Sequence, residues 1–70
     1  MKVYKGYTVS VFDDKREYFK LHDGKYLKIS AYTAESARRQ FEQIAFNAYF
    51  TNWNQFQLTL RFSPIYVEEA

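Results

Sequence analysis

The residues best suited to chemistry alternate along two short runs. In residues 17–22, Tyr18 and Lys20 share one side of an extended chain, and in residues 25–31, Tyr26 and Lys28 do the same. Tyrosine and lysine interleaved on one sheet face suit a polyanion, because rings stack on bases and ammonium groups neutralise phosphates. By the same alternation Thr8, Ser10, Gln57, Thr59 and Arg61 join that outward set. The plainer reading is structural: Tyr and Thr favour strands, and exposed Lys blunts aggregation. A second candidate patch lies on the back of a helix. Helical periodicity carries Phe46 and Phe50 away from the apolar stripe, towards Arg39 and Gln43, and Trp53 follows closely. Aromatics beside an arginine are frequent anchors of protein interfaces. The alternative is that Tyr49, Phe50 and Trp53 fold back as a hydrophobic cap.

Catalytic groups are sparse. His22 is the one histidine and sits beside Asp23 in a turn, with no second ligand or nucleophile spaced to join it. Asp13 and Asp14 form an adjacent carboxylate pair whose usual role is turn chemistry. There is no glycine-rich phosphate loop, metal motif or nucleophile elbow. With no cysteine, disulfides, thiol redox chemistry and cysteine-ligated zinc are excluded. The expectation is a protein that is not an enzyme and uses no metal or cofactor.

The elements that would position these residues follow from periodicity. Residues 7–12 alternate, with Tyr7, Val9 and Val11 on one face. Residues 13–16 are polar and turn-like. The next two runs form a hairpin whose loop length can be decided by parity, since directly opposed residues share a face. A two-residue loop at Asp23-Gly24 mixes the faces, whereas a loop of His22, Asp23 and Gly24 sets Phe19 opposite Leu27. It also gives Gly24 the left-handed position. A helix follows, with Thr33 as N-cap, Glu35 in its first turn and a stripe of Ala37, Phe41, Ile44, Ala45 and Ala48. Residues 55–62 place Phe56, Leu58, Leu60 and Phe62 on one side and read as a strand. Ser63-Pro64 bends the chain, and Ile65-Tyr66-Val67 reads as a short edge piece. The expected fold is a single α+β domain over residues 1–70, an antiparallel four-stranded sheet with one helix on one face (β-β-β-α-β). Its expected core is Val9, Val11, Phe19, Leu21, Leu27, Ile29, Phe41, Ile44, Ala45, Phe56, Leu58 and Leu60.

Composition narrows the class further. Fifteen of 70 residues are aromatic, 7 Tyr, 7 Phe and 1 Trp. A chain this short relies on large side chains or on self-association for stability, so the aromatics have a structural use before any functional one. Ten basic residues against eight acidic give a net charge of +2, which excludes an acidic DNA mimic without implying nucleic-acid binding. Residues 1–33 carry seven of the basic and four of the acidic residues. No apolar run is long enough to span a bilayer, and no signal peptide is visible after Met1. A cytoplasmic protein is expected.

Two resemblances arise. The run Lys28-Ile29-Ser30-Ala31-Tyr32-Thr33-Ala34-Glu35-Ser36-Ala37, followed by an amphipathic helix and a strand, resembles small phage-encoded inhibitors of host machinery. These are inhibitors of the anti-CRISPR or RNA polymerase type, and the likeness covers roughly residues 17–62 as architecture. It implies action by occupying a surface of a host complex, and it carries no active-site residue over. Residues 7–46 also resemble the amino-terminal DNA-binding modules of tyrosine-family phage integrases, which insert a three-stranded sheet into the major groove. That likeness would make Tyr18, Lys20, Tyr26 and Lys28 the readers. The fourth strand and the lack of a recombinase domain depart from it.

The leading expectation is a phage or mobile-element accessory protein that inhibits a host nucleic-acid-handling complex, such as a CRISPR effector, by protein contact. Tyr18, Lys20, Tyr26, Lys28 and Arg61 would supply one patch and Arg39, Phe46 and Trp53 a second. Direct binding of DNA or RNA through the sheet face is the alternative, and a homodimeric structural domain is the third reading.

Overall fold

The strand that opens the chain decides the architecture. A computed structural model describes all 70 residues, in the order β1 (Lys2–Val9), β2 (Arg16–Tyr18), β3 (Lys28–Ala31), α1 (Ala34–Tyr49), α2 (Trp53–Phe62) and β4 (Ile65–Glu69). The class is α+β with four antiparallel strands, but there are two helices rather than one. Every strand pairs with β1. Tyr4 and Lys5 pair with both β3 and β4, and Tyr7 and Thr8 pair with both β2 and β4. A strand has only two edges, so β4 fills one while β2 and β3 follow one another along the other. Backbone hydrogen bonds agree: Phe19 N–H donates to Gly6 O on the β2 side, and Ala70 N–H donates to Val3 O on the β4 side.

Between β2 and β3 the chain leaves the sheet as a side hairpin. Leu27 N–H donates to Phe19 O at 2.9 Å and Leu21 N–H to Lys25 O at 2.8 Å, with Lys20 bridged to Tyr26. The loop is therefore His22, Asp23 and Gly24, as parity requires, and Gly24 takes φ +85°. The polar turn expected at 13–16 lies earlier, over residues 10–15, because Arg16 already begins β2. Lys15 N–H donates to Asp13 Oδ1, and Asp14 takes φ 58°, a conformation that aspartate tolerates better than most residues.

The faces of β1 are the reverse of the expectation. Tyr4 and Gly6 are buried against the helices, so Val3, Lys5, Tyr7 and Val9 point to the other side. The strand also begins and ends earlier than residues 7–12, which leaves Val11 beyond it and 53% exposed. Gly6 explains the inversion. A Cβ there would lie 2.6 Å from the Phe41 ring, so the fully buried Phe41 fills the space a side chain on β1 would otherwise take.

Helix α1 begins as its cap predicts, with Ser36 N–H donating to Thr33 Oγ1 at 3.1 Å. Ala37, Phe41 and Ala45 form its buried stripe, and Phe41 meets Phe19 edge-on at 5.1 Å. The expected strand at residues 55–62 is instead α2. Phe56 and Leu60, four apart, turn inward, while Leu58 and Phe62, also four apart, turn outward. Asn52 starts the helix by accepting from Asn54 N–H and Gln55 N–H. The core is Tyr4, Ala31, Ala37, Phe41, Ala45, Phe56 and Ile65. Phe19, Leu27, Ile29 and Leu60 pack against it, half-buried. Val11, Leu21, Ile44 and Leu58 are exposed rather than core, and Val9 lies on the uncovered side of the sheet.

Candidate functional site

The uncovered sheet face gathers its side chains by register. Tyr7 lies opposite Tyr18 of β2 and opposite Tyr66 of β4, and Lys5 lies opposite Lys28 of β3 and Glu68 of β4. Opposed residues share a face, so all of these project away from the helices. The Lys20–Tyr26 bridge continues the face into the side hairpin.

Four tyrosine rings form a row across it. Centroids are 6.0 Å apart from Tyr66 to Tyr7, 5.2 Å from Tyr7 to Tyr18 and 5.2 Å from Tyr18 to Tyr26. The two inner rings are held. Arg16 lies 4.6 Å from the Tyr7 centroid, and the Tyr18 hydroxyl donates to Glu68 Oε1. That hydrogen bond, partly offset by Arg16, holds the Tyr18 phenol above its ordinary value of 10.0. The end rings are more exposed, Tyr26 at 42% and Tyr66 at 46%. Lys5 and Lys20 reach over Tyr26, at 4.7 and 5.7 Å from its centroid.

The charges on this face do not cancel. Lys5 reaches Glu68 at 3.8 Å, while Arg16, Lys20 and Lys28 have no carboxylate within ion-pair distance. Lys28 sits directly across from Lys5, and like charges directly opposite one another are unfavourable without an anion between them. The arrangement can hold a polyanion and can offer flat apolar rings beside it.

Of the residues singled out from sequence, Tyr18, Lys20, Tyr26 and Lys28 come together here. Arg61 does not, because it lies in the last turn of α2 and not on a strand. Gln57 and Thr59 leave the set for the same reason. Thr8 is on the helix-facing side, opposite Ile65. The second patch separates as well. Phe46 is half-buried, packed edge-on against Trp53 at 5.1 Å and Phe56 at 5.6 Å, so it joins α1 to α2. Trp53 keeps 52% exposure, and Arg39 is exposed on α1 with Glu35 at 3.3 Å. Sequence reasoning missed Lys5, Tyr7, Arg16, Tyr66 and Glu68. The alternation of Val3, Lys5, Tyr7 and Val9 was the available signal, but it is legible only once Gly6 is known to face a ring.

His22 is exposed in its loop, and no group of three or more His, Asp or Glu side chains is placed to hold a metal ion. No helix is long and apolar enough to cross a membrane. Comparison with protein-family models, curated proteins and solved structures found no match.

Proposed function

We propose that this protein is a non-enzymatic binding module whose open sheet face takes single-stranded nucleic acid. The observation that carries this reading is the row of four tyrosines flanked by three cations without carboxylate partners. In this reading Tyr26 and Tyr66 are the stacking platforms, because they are the more exposed rings of the row. Arg16, Lys20 and Lys28 meet the phosphates. Single strands suit such a face better than duplex because their bases can turn out and stack.

Fluorescence anisotropy with mixed-sequence single-stranded and duplex oligonucleotides tests it. Single strands bind more tightly than duplex, and three neutralised phosphates give a fall of about two log units in affinity per tenfold rise in salt. Loss of one stacked base is worth roughly 1–3 kcal/mol, so Tyr26→Ala weakens binding by about fivefold or more. Binding that is absent at low salt, or unchanged in Tyr26→Ala and Lys28→Ala, overturns the reading.

A second reading, inhibition of a host nucleic-acid-handling complex by protein contact, is favoured by a different surface. Phe12, 81% exposed, stacks on Phe62 with ring centroids 5.8 Å apart and planes 11° apart. Leu58 lies one helical turn before Phe62 on the same outer side of α2 and is also exposed. Exposed aromatics in one cluster are suited to a protein partner. Coelution with a purified CRISPR effector complex or RNA polymerase, lost on joint Phe12→Ala and Phe62→Ala substitution, supports this reading. Absence of coelution with either counts against it.

A further inference from the structure

Charge is not spread evenly along the tyrosine row. Glu68 is the one carboxylate that the strand registers bring to the open face, and it is already engaged. It accepts from the Tyr18 hydroxyl and lies 3.8 Å from Lys5, so the Lys5 charge is largely balanced within the fold. Beside Tyr7 the remaining cation is Arg16, 4.6 Å from the ring centroid. At the Tyr26 end two cations remain, Lys20 and Lys28. Both are exposed, and neither has a carboxylate within ion-pair distance.

These two lysines approach Tyr26 from separate elements. Lys20 is bridged to Tyr26 across the side hairpin, and its ammonium lies 5.7 Å from the ring centroid. Lys28 is two residues beyond Tyr26, with Leu27 packed on the core between them, so Tyr26 and Lys28 share the outward side. Lys28 also stands across from Lys5, whose ammonium is 4.7 Å from the same ring. Tyr26 closes the row, with Tyr18 as its ring neighbour.

Two uncompensated charges beside an exposed ring distinguish between the phosphates of a nucleic acid. A linking phosphate is a diester with a single negative charge. A terminal phosphate is a monoester, which carries about 1.5 to 2 negative charges near pH 7 and presents three strong acceptor oxygens. Lysine meets phosphate as a point charge on a flexible stem, so two ammonium groups can close on the monoester without a fixed fork geometry.

We propose that the Tyr26 end of the face is a subsite for the terminal phosphomonoester of a single strand, with the terminal base on Tyr26 and the phosphate between Lys20 and Lys28. This rests on the single-strand reading above and adds to it a preferred end, phosphorylated rather than hydroxyl. The rest of the strand runs towards Tyr66 past Arg16, where one cation meets one linking phosphate. The bound anion also relieves the repulsion between Lys28 and Lys5, which face one another across the strand pair. Inorganic phosphate would satisfy the lysines and leave the ring unused. A mononucleotide would leave Arg16 and Tyr66 unused.

Fluorescence anisotropy competition compares one short mixed-sequence strand with a phosphate on one end, on the other end and on neither. One phosphorylated form should bind roughly fivefold more tightly than the hydroxyl-ended form, the worth of two exposed ion pairs. Its affinity should also fall more steeply with salt, by about 0.7 log unit or more per tenfold rise. Joint Lys20→Gln and Lys28→Gln substitution should remove that advantage, whereas Arg16→Gln should weaken both forms alike and keep it. All three side chains are exposed, so the variants should retain the wild-type far-ultraviolet spectrum. Inorganic phosphate and a mononucleotide should compete only at much higher concentration. If the hydroxyl-ended strand binds and neither phosphate adds affinity, the end preference is wrong while the single-strand reading stands. An advantage that survives in the double lysine variant, or that Arg16→Gln abolishes, places the phosphate elsewhere and overturns the proposal. A mononucleotide that competes as well as the phosphorylated strand assigns the site to free nucleotides and overturns it too. If no strand binds at low salt, both readings fall together.

Discussion

The two faces of β1 carry opposite kinds of residue from those an amphipathic strand normally shows. The helix-covered face holds Tyr4, Gly6 and Thr8, and the open face holds Val3, Lys5, Tyr7 and Val9. The covered face is dense because α1 supplies the bulk: Phe41 is fully buried and lies over the bare backbone of Gly6. The open face must satisfy itself, and does so with ring–ring, cation–ring and hydroxyl–carboxylate contacts along the tyrosine row. Burial of one large ring against a glycine therefore goes with an open face made of tyrosines and charged residues.

The sharpest way to break this comparison is to remove the ring. Phe41→Ala should cost about 3–5 kcal/mol, since it empties the centre of the core, and equilibrium urea unfolding measures it. Tyr7→Ala on the open face should cost clearly less, and equal losses would erase the distinction between the faces. Next in size is Gly6→Ala. The added methyl meets the body of the Phe41 ring, so a loss of about 1–3 kcal/mol is expected. Pairing Gly6→Ala with Phe41→Leu should cost less than the two single losses added together, because a smaller side chain leaves room for the methyl.

The smallest effect concerns the open face alone. Tyr18 has a folded-state pKa above its unfolded value, chiefly because its hydroxyl donates to Glu68. Its contribution to stability is therefore complete below pH 10.0 and is lost as pH rises through the folded-state value. An alkaline titration followed by tyrosinate absorbance should show the late ionisation of Tyr18, and Glu68→Gln should move it to lower pH. An unchanged titration in that variant would show that the hydroxyl–carboxylate bond does not organise the row.

Several features were legible locally because local forces decide them. The Phe19–Leu27 pairing and the Gly24 turn follow from parity and glycine's freedom at positive φ. The start of α1 follows from Thr33, and most of its buried stripe from helical spacing. Four of the expected face residues, Tyr18, Lys20, Tyr26 and Lys28, came together because the side hairpin sets their register. Residues 55–62 were misread for a physical reason. Phe56, Leu58, Leu60 and Phe62 alternate, yet the same positions also form two pairs four apart, so both periods fit. The capping pattern of Asn52 followed three residues later by Gln55 was the local signal for a helix, and β-branched residues are scarce there.

By itself the sequence determined the class, the Gly24 turn, the start of α1 and the outward pairing of tyrosine with lysine in the side hairpin. These depend on contacts between near neighbours and on backbone preferences. Only the tertiary structure decided which face of β1 is covered, because the answer lies in Phe41, thirty-five residues away from Gly6. It also decided that Ile65–Glu69, and not residues 55–62, lies beside β1. That choice brought Tyr66 and Glu68 to the open face, since a residue's strand partner is set by the packing of distant segments and not by its own alternation.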